Sequence, residues 1–339
     1  MRGMHFDFIK CHGSGNDFPL IDARSITLSD AEWASVARAL ADRAGPVGGD
    51  GLLLLVNPKE GHEDQAFMMR MMNSDGSEAE TCLNGLRCVA RLGFEVLGLD
   101  QARVGLKTSS ADVARVAPLA PDVTTIRTRV GPASIRTADV GLKIAAAEVI
   151  DAAIPGLPSV RAFTAVAMPN PHLVAFVDRV DEEELVALGT WTEGAPALIP
   201  GRANVSFVEV RGGDLFVRTF ERGVGLTDSC GSAMAASTFA AGLTGRVPWD
   251  RELTVFNRGG LVRASATAPE AGAEVTIAGN ATFLYDASVE VDLATGKADV
   301  PVVHARREAE ARAWEEALNA GLTLAAGYRA ERSASAGRS

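Results

Sequence analysis

Short apolar runs, bounded by polar turn signals, make up much of the pattern along the chain. Leu52–Val56 is an unbroken apolar run, and Phe67–Met72 is nearly so. Glycine, asparagine and aspartate precede or follow these runs, as in Gly48-Gly-Asp-Gly51 and Asn73-Ser-Asp-Gly76. Apolar runs of about four to eight residues between such turn formers are typical of buried strands. The pattern therefore predicts a chain that is rich in strands.

One helix is predicted near the start of the chain, over residues 29–42. Its apolar positions follow helical spacing, Ser29 stands where an N-cap belongs, and Glu32 follows at the capping-box position. In a capping box, the side chain of each residue accepts a hydrogen bond from the backbone N–H of the other. Residues 103–150, by contrast, carry many β-branched side chains, and they are predicted to form several strands.

Two cysteines, Cys82 and Cys230, stand in similar settings half a chain apart. Each follows a polar, glycine-bearing turn and precedes a stretch that predicts the start of a helix. The first of these helices is predicted to run to about Leu97, where Gly98 closes it. A thiol at a helix N-terminus meets unsatisfied backbone N–H groups and the positive end of the helix dipole, and both favour the thiolate. Two such thiols facing one cavity would form an opposed acid–base pair.

The order of elements repeats along the chain, which predicts an α+β protein of two domains. Because two packed β-rich units with one cysteine-headed helix each leave a cleft between them, the active site is expected in that cleft. The predicted parts are a first domain at 1–133 completed by a returning strand near 281–295, a second domain at 134–280, and an Ala/Arg/Glu-rich tail at 300–339. The tail is predicted to be partly helical or disordered, with a solvated helix over 305–319.

Composition limits the classes of function that fit. The chain has 339 residues, of which 47% are hydrophobic and 22% charged, and its formal net charge is −10. The acidic balance argues against a nucleic-acid surface, which usually shows a basic footprint. No apolar stretch reaches the length of about 18 residues that predicts a membrane helix, and no signal sequence is evident, so a cytoplasmic location is expected. The four cysteines do not suggest a disulfide framework, and reduced thiols are expected.

Metal, redox and nucleotide chemistry are each disfavoured. No cysteine or histidine pair has the usual zinc spacing, and no C-x-x-C motif is present, so neither a metal nor a cofactor is expected. Gly13-Ser-Gly-Asn-Asp17 lacks the full dinucleotide-binding pattern and is interpreted as a turn between strands. His172, in Pro169-Asn-Pro-His172, is conceivable as the partner of a nucleophilic cysteine, although such a residue more often pins a turn. Cys11 and Cys88 are interpreted as small buried hydrophobes.

A set of polar residues at strand ends and turns has the chemistry to hold an amino acid. Each asparagine alone is interpreted as a turn former, but together these residues offer donors and acceptors for an amino acid head group. The set is Asn16, Asn73, Asn170, Asn204, Glu221 and Arg222. The guanidinium of Arg222 has the planar fork of donors that grips a carboxylate. Backbone N–H groups beside the two cysteines offer a site for another carboxylate.

Over residues 4–292 the chain resembles the diaminopimelate epimerases, a family of cofactor-independent amino acid racemases. The segments that carry the resemblance are His12-Gly-Ser-Gly-Asn-Asp-Phe18, Gly49-Asp-Gly-Leu-Leu53, Asn73-Ser-Asp-Gly-Ser-Glu78, Cys82-Leu-Asn-Gly-Leu-Arg-Cys88, Asn170-Pro-His172, Asn204-Val-Ser-Phe207, Glu221-Arg-Gly-Val-Gly225 and Cys230-Gly-Ser232. The resemblance implies two pseudo-symmetric domains, each a β-barrel-like sheet around a central helix. It also implies a homodimer and a small amino acid substrate.

The resemblance implies a role for each matching residue. Cys82 and Cys230 would be the catalytic pair, one thiolate removing the α-proton and the opposite thiol returning one. The residues implied to bind the reacting carboxylate are Leu83, Asn84, Gly231 and Ser232. The residues implied to bind the rest of the substrate are Asn16, Asn73, Asn170, Asn204, Glu221 and Arg222. The implied reaction converts LL-diaminopimelate to meso-diaminopimelate without pyridoxal phosphate, on the route to lysine and peptidoglycan precursors.

Three positions depart from the pattern of the family. Leu83 stands where the family usually has glycine, Leu226 where it usually has glutamate, and Ala233 where it usually has glycine. The departures leave two alternatives open. One is a cofactor-independent racemase of another amino acid, and the other is a catalytically impaired homologue that only binds ligand.

Overall fold

The computed structural model describes residues 3–336, with side chains as far as residue 326. The chain divides into two compact units. The first unit contains the residues up to Thr128 together with Ala278–Ala317. The second contains Arg129–Ile277 together with the residues from Leu318 onward. Each unit is therefore assembled from separate segments of the chain.

Strands outnumber helices in both units, as the apolar pattern predicts. In chain order they are β1 (Met4–Gly13), β2 (Asn16–Asp22), β3 (Gly51–Val56), β4 (Phe67–Asn73), β5 (Gln101–Gly105), β6 (Ser110–Val116), β7 (Thr125–Val130), β8 (Thr164–Ala167), β9 (Pro171–Phe176), β10 (Asn204–Arg211), β11 (Asp214–Glu221), β12 (Gly225–Thr227), β13 (Leu253–Phe256), β14 (Leu261–Ala266), β15 (Val275–Asn280), β16 (Thr282–Asp292), β17 (Lys297–Ala298) and β18 (Val302–Arg306). The helices are α1 (Asp30–Ala41), α2 (Leu83–Leu97), α3 (Thr137–Val140), α4 (Glu182–Glu193), α5 (Gly231–Leu243) and α6 (Glu308–Ala336).

The first unit alternates antiparallel and parallel strand pairs. β1 pairs antiparallel with β2, β2 parallel with β3, β3 antiparallel with β4, β4 parallel with β5, and β5 antiparallel with β6. β16 returns to pair with the other edge of β1, and β17 and β18 pair with β16. A parallel pair needs a crossover connection between its two strands. The connection from β2 to β3 contains α1, and the connection from β4 to β5 contains α2.

The second unit repeats this alternation. β8 pairs antiparallel with β9, β9 parallel with β10, β10 antiparallel with β11, β11 parallel with β13, and β13 antiparallel with β14. The crossover of the first parallel pair contains α4, and that of the second contains α5. The helices that follow the two cysteines, α2 and α5, thus hold equivalent places in the two strand orders. The prediction of a repeated order of elements is confirmed.

The two cysteine-headed helices are buried on every side over most of their length. In α2 every residue from Leu83 to Phe94 is buried, including its arginines, and in α5 all but Ser232 and Leu243 are buried. A helix with no solvated face belongs to the interior of a fold. The small side chains of Ala235, Ala236 and Ala240 let surrounding strands approach α5 closely. These two helices are the central helices that the family resemblance implies.

The predicted helix boundaries are confirmed where a local capping signal marks them. Ser29 caps α1, and both hydrogen bonds of the capping box with Glu32 are present. Cys82 is the N-cap of α2, and Gly98 closes that helix in the left-handed conformation, with its N–H bonded to the Phe94 carbonyl. Glycine is suited to this position because it has no Cβ to strain a positive φ.

The prediction of several strands over residues 103–150 is wrong for its second part. Strands end with β7, and the chain to residue 163 consists mainly of turns with the single helical turn α3. Gly131-Pro132 interrupts the pattern, and Gly141 ends α3 in the left-handed conformation. Val149 and Ile154 are nevertheless buried in the core of the second unit. These apolar side chains therefore serve the core without a strand, which β propensity alone does not reveal.

The tail is partly helical as predicted, but the helix begins at Glu308 and runs to Ala336, beyond the predicted bounds 305–319, and a strand precedes it. β18 pairs with β16, and α6 has 29 residues; residues 337–339 of the predicted tail lie outside the described residues. Trp314 is 4% exposed, and its ring lies 5.8 Å from the ring of His12. Among the described helices, none is long and apolar enough to cross a membrane. Of the side chains described in α6, those of Trp314 and Ala325 are buried and the others are exposed or partly exposed, as the charged composition predicts.

An ion pair ties the start of α6 to the first unit. Glu310 accepts hydrogen bonds from the buried guanidinium of Arg91 and from the backbone N–H of Phe283. The same guanidinium stacks over the Phe283 ring, 3.9 Å from its centroid. Removing one partner of a buried pair leaves the other charge without compensation, which costs more than the pair itself contributes.

Replacing Glu310 with alanine is expected to lower the free energy of unfolding by about 3 kcal/mol, because Arg91 keeps the more exposed Glu95 as its one carboxylate partner among the described residues. Urea unfolding followed by circular dichroism measures this. Glu308→Ala is the matched control, since Glu308 lies in the same helical turn and its one ion pair among the described residues is with exposed Arg312. The control is expected to change stability by less than about 0.5 kcal/mol. Equal losses in the two variants would contradict the prediction.

Candidate active site

Cys82 stands at the N-terminus of α2 with its sulfur turned toward the helix. The Gly85 N–H points at the sulfur at 3.4 Å, and the Leu86 N–H donates to the Cys82 carbonyl at 2.8 Å. The thiol is half-buried, as one expects of a group that must reach a ligand. The hydrogen bond and the helix dipole both favour a negative sulfur. The environment that the sequence predicts for Cys82 is therefore present.

Asn84 and Asn16, both predicted to bind substrate, meet through their side-chain amides. Asn84 Nδ2 donates a short hydrogen bond to Asn16 Oδ1. Asn16 Nδ2 in turn donates to Asp50 Oδ2 at 3.1 Å, and Asn84 Oδ1 accepts from Arg87 Nη2 at 2.9 Å. The family resemblance implies Asn16 and Asn84 as site residues, but it does not predict that Arg87 and Asp50 end their chain of hydrogen bonds.

Gly13 lets the turn between β1 and β2 lie against the start of α2. A Cβ at this position would lie 2.5 Å from the Asn84 carbonyl oxygen, closer than any real contact. The adjoining Ser14 and Gly15 both have positive φ angles. The interpretation of this segment as a turn is confirmed, and its glycine is required because the backbone approaches α2 so closely.

Leu83 and Asn73 complete the candidate residues of the first unit. Leu83 is the first residue of α2, is 8% exposed, and is not among the residues with positive φ. A leucine thus meets no backbone strain where the family usually has glycine, and its N–H stays at the helix N-terminus. Asn73 ends β4, and its Nδ2 donates to Ser77 Oγ at 2.9 Å, so it also shapes the following turn.

Cys230 has a different electrostatic environment from Cys82. It is the N-cap of α5, is 6% exposed, and its sulfur lies 3.5 Å from Ser232 Oγ. Burial raises the pKa of the Cys230 thiol well above its ordinary value, and the negative charge of Glu221 raises this pKa further. The Ser232 hydroxyl and the Ala233 N–H act in the opposite direction. In the structure as it stands, Cys230 is therefore a thiol at neutral pH.

Glu221 belongs to the surroundings of Cys230. Besides the effect of its charge, Glu221 shares a side-chain hydrogen bond with the thiol. The sequence predicts Glu221 among the residues that bind the rest of the substrate, and these contacts show that it also raises the pKa of the Cys230 thiol. Leu226, which replaces the usual glutamate, lies in β12 and is 37% exposed.

His172, which is not among the predicted site residues, contacts Asn170 and Asn204, and Asn204 in turn contacts Arg222. His172 Nε2 lies 3.0 Å from Asn170 Oδ1 and 3.4 Å from Asn204 Nδ2. Asn204 Oδ1 accepts from the backbone N–H of Arg222 at 2.8 Å, and Arg222 Nη1 donates to the Gly201 carbonyl at 3.2 Å. His172 therefore does more than pin a turn. Its Nε2 lies within reach of two predicted substrate-binding amides, and in the neutral ring it either donates to Asn170 or accepts from Asn204.

His172 is neutral in this setting. Burial lowers its pKa to about 3, and the charge of Arg222 acts in the same direction. Its buried Nδ1 has no hydrogen-bond partner among the described residues. The signal that marks it is the register of the sheet, since His172 on β9 lies directly opposite Asn204 on β10. That pairing joins residues far apart in sequence, which no local pattern displays.

The two remaining cysteines are structural. Cys11 and Cys88 are both completely buried, and Cys11 Sγ donates to the Phe18 carbonyl at 3.5 Å. Burial raises the pKa of the Cys11 thiol well above its ordinary value, so it stays protonated. Their interpretation as small buried hydrophobes is confirmed. No group of three or more His, Cys, Asp and Glu side chains is placed to hold a metal within the part of the chain that the structure describes.

Sequence comparison settles the family. The model of the family described as diaminopimelate epimerase matches residues 8–114 and 164–284. The diaminopimelate epimerase of Listeria innocua is 36% identical over 296 residues, which cover 85% of this chain and 89% of the relative. The chain belongs to the diaminopimelate epimerase family. That of Clostridium acetobutylicum is 35% identical over 293 residues, covering 85% of this chain and 87% of the relative.

Solved structures with the same two-domain fold come from more distant proteins. A hydroxyproline epimerase from Agrobacterium vitis has a TM-score of 0.61 at 13% sequence identity, covering 86% of this chain and 93% of its own. A PhzF-family phenazine biosynthesis protein from Bacillus anthracis has a TM-score of 0.58 at 14% identity, covering 84% of this chain and 99% of its own. At this level of identity the likeness concerns the fold, which the sequence predicts as α+β with two domains.

Proposed function

We propose that this member of the diaminopimelate epimerase family interconverts LL- and meso-diaminopimelate, with Cys82 and Cys230 as the acid–base pair. Inverting a stereocentre by proton transfer needs a base on one face of the carbon and an acid on the other. A thiol serves in either part, depending on its protonation. The observation that supports this assignment is that both cysteines cap helices, while their electrostatic surroundings differ.

The difference between the two thiols suggests their resting states. Cys82 accepts a backbone hydrogen bond at a helix N-terminus, which suits a thiolate base. Cys230 is buried next to Glu221, which keeps its proton in place and suits an acid. After one turnover in either direction the protonation states are exchanged. Glu221 then destabilises the Cys230 thiolate, and this favours the return of the proton.

The α-carbon is a far weaker acid than a thiol, so the carbanion needs stabilisation. Backbone N–H groups at the starts of α2 and α5 are fixed donors suited to the reacting carboxylate. We assign Leu83, Asn84, Gly231 and Ser232 to this part. The residues assigned to the rest of the substrate are Asn16, Asn73, Asn170, Asn204, Glu221 and Arg222. The contact of Asn84 with Asn16 joins the two sets, and the contacts of His172 with Asn170 and Asn204 bring two members of the second set together.

Deuterium exchange tests the proposed function directly. Reduced protein incubated with LL-diaminopimelate in deuterated water is expected to yield meso-diaminopimelate with deuterium at the inverted α-carbon, without added cofactor. Chiral chromatography with mass spectrometry measures both the inversion and the label. Absence of α-deuterium from both stereoisomers, with a protein shown to be folded and its thiols reduced, would reject the proposal.

Leu83 and Leu226 support a second candidate, the racemisation of another amino acid. Both replace residues that the family usually has near its site, and Leu83 adds a side chain beside Asn84. A panel of amino acids in deuterated water separates the candidates, because exclusive labelling of diaminopimelate removes this one. Ligand-induced thermal stabilisation without any labelling would instead point to a homologue that only binds.

The homodimer and the cytoplasmic location stay predictions.

A further inference from the structure

Arg87 is a buried cation without a carboxylate partner among the described residues. Its exposed fraction is 0%. Its guanidinium donates to the carbonyl oxygens of Asn280 (2.9 Å) and Leu83 (3.4 Å), to Ser14 Oγ (2.9 Å) and to Asn84 Oδ1 (2.9 Å). All four acceptors are neutral. Since an arginine is almost never fully buried unless it is paired with an anion, its position on α2 requires another explanation.

One part of the explanation is the direction of the hydrogen-bond chain through the site. Arg87 has only donors and Asp50, at the other end, has only acceptors in its ionised form. Asn84 must therefore turn its oxygen to Arg87 and its NH₂ to Asn16, and Asn16 must turn its NH₂ to Asp50. An asparagine amide otherwise has two nearly equivalent orientations. Because Arg87 can only donate and ionised Asp50 can only accept, the two ends of this series of hydrogen bonds fix the amide orientation of both asparagines.

The other part is charge. Burial lowers the pKa of Arg87 to about 10, and the thiols of Cys88 and Cys82 act in the opposite direction. The guanidinium thus remains charged at neutral pH. Cys88 is completely buried, whereas Cys82 is half-buried and already accepts the Gly85 N–H. Of the two thiols, Cys82 is thus the more exposed, and it lies at the N-terminus of α2.

The other charged groups near this end of the unit do not duplicate Arg87. Lys10 lies 2.5 Å from Asp17, which also pairs with Arg43, so these charges compensate one another. Burial lowers the pKa of His12 to about 4, and it is neutral above that pH. The uncompensated positive charge facing the start of α2 therefore belongs to Arg87.

We propose that Arg87 is a positioning residue of the Cys82 half-site, which holds the Cys82 thiolate by its uncompensated charge and fixes the orientation of Asn84 and Asn16 by its fork of donors. The second part of this proposal rests on the proposed function of the two asparagines, but the first does not. All the residues named in both parts of the proposal belong to the first unit.

Arg91 provides a matched control on the same helix. It lies one turn after Arg87, and its side chain is 7% exposed, but Glu310 and Glu95 compensate its charge. Replacing either arginine with glutamine removes one buried positive charge from α2. Only the change at Arg87 is expected to act on Cys82, since Arg91 is compensated and lies farther along the helix.

The test is the pH dependence of alkylation at Cys82. Iodoacetamide is uncharged, so losing an arginine does not alter its attraction to the protein, and peptide mass spectrometry resolves Cys82 from the other cysteines. Arg87→Gln is expected to raise the midpoint for Cys82 by about one pH unit, which lowers the thiolate fraction at pH 7 about tenfold. Arg91→Gln is expected to leave the midpoint unchanged. An unchanged midpoint in folded Arg87→Gln, or equal shifts in both variants, would overturn the charge part of the proposal.

The unmodified protein and Arg87→Lys keep the proposal testable should Arg87→Gln not fold. In the unmodified protein the Cys82 midpoint is expected to lie below the ordinary cysteine value of about 8.5, and a value at or above it would overturn the charge part. Arg87→Lys keeps the charge but loses the fork, so the midpoint is expected to stay and the KM for diaminopimelate to rise about tenfold. An unchanged KM, or failure of this variant to fold while Arg91→Lys folds, would overturn the orienting part. Since alkylation needs no turnover, absence of epimerase activity would reject the proposed function and leave the charge result standing.

Discussion

Replacing Cys82 or Cys230 with alanine is expected to lower the rate of epimerisation at neutral pH by about 10²- to 10⁴-fold, the usual contribution of one acid–base group. The reason is that each inversion uses both thiols, one to take a proton and one to give it. Neither helix loses its cap entirely, because the backbone carbonyls of both cysteines still accept their intrahelical bonds. The fold is therefore expected to persist in both variants, as circular dichroism checks.

The two variants are expected to differ in what they still exchange. A single remaining thiol can remove the α-proton from the stereocentre that faces it and return deuterium to the same face. Each variant should then label one configuration at the α-carbon without inverting it, and the two variants should label opposite configurations. Mass spectrometry of the recovered stereoisomers in deuterated water measures this.

Cys88→Ala is the control for these substitutions. Cys88 lies on the same helix as Cys82 but is completely buried and protonation of its thiol plays no part in the proposed reaction. It is expected to lower stability through the small cavity it leaves, while turnover per folded molecule stays within about twofold, as for substitutions that leave the reacting groups in place. Loss of turnover equal to that of Cys82→Ala, or inversion retained in Cys82→Ala, would contradict the assignment.

The parts of the fold that the sequence predicts best are those with local signals. The capping box of Ser29 and Glu32, the cysteine N-cap of α2 and its closing Gly98 each lie within a few residues of the boundary they set. The strands β3 and β4 likewise follow from uninterrupted apolar runs between turn formers. In all of these, the residues that determine the element are the residues of the element.

Elements that depend on distant contacts are harder to predict. The stretch between β7 and β8 has β-branched residues in abundance, yet Val149 and Ile154 pack into the core from turns. The first turns of α6 are charged in sequence, yet Trp314 is buried and Glu310 pairs with Arg91. In both places the side chains that bury or pair these residues belong to other elements of the fold. Local composition therefore does not predict that these residues are buried or paired.

The same distinction holds for the candidate site. Motifs bring the asparagines and cysteines to attention one by one, but their hydrogen-bond partners come from other strands. His172 is linked to Asn204 only by the parallel pairing of β9 and β10, and Glu221 acts on Cys230 from the end of β11. The sequence thus identifies candidate residues, whereas the structure shows which protons and amide orientations they control.

The protein is expected to lose stability steeply as the pH falls from 6.5 toward 4.5, because two histidines are buried in neutral form. Burial lowers the pKa of His172 to about 3 and that of His12 to about 4. In the unfolded chain both take their ordinary value of about 6.5. Below pH 6.5 the unfolded state therefore binds protons that the folded state does not, and each histidine costs about 1.4 kcal/mol per pH unit until its folded pKa is approached.

Over those two pH units the two histidines together are expected to lower the free energy of unfolding by about 5 kcal/mol, which is a large part of the stability of an ordinary domain. Urea unfolding at pH 6.5, 5.5 and 4.5 measures the slope. The contribution of His5, whose pKa is raised chiefly by its bond with Glu290, has the opposite sign but is exposed to solvent. Carboxylates such as Asp22, whose pKa is lowered by Arg24, matter only below this range, since the change begins near the ordinary value of 3.8.

His172→Gln removes one of the two titrating groups and is expected to flatten the slope by about half, even where it lowers stability at every pH. His62→Gln, at an exposed position in the loop after β3, is the control and is expected to leave the slope unchanged. The slope is the informative quantity. A lost packing contact lowers the free energy of unfolding equally at all three pH values, whereas removing a histidine that takes up a proton on unfolding changes the differences between them. A slope that is the same in the unmodified protein and in His172→Gln would mean that His172 is not held neutral by its burial.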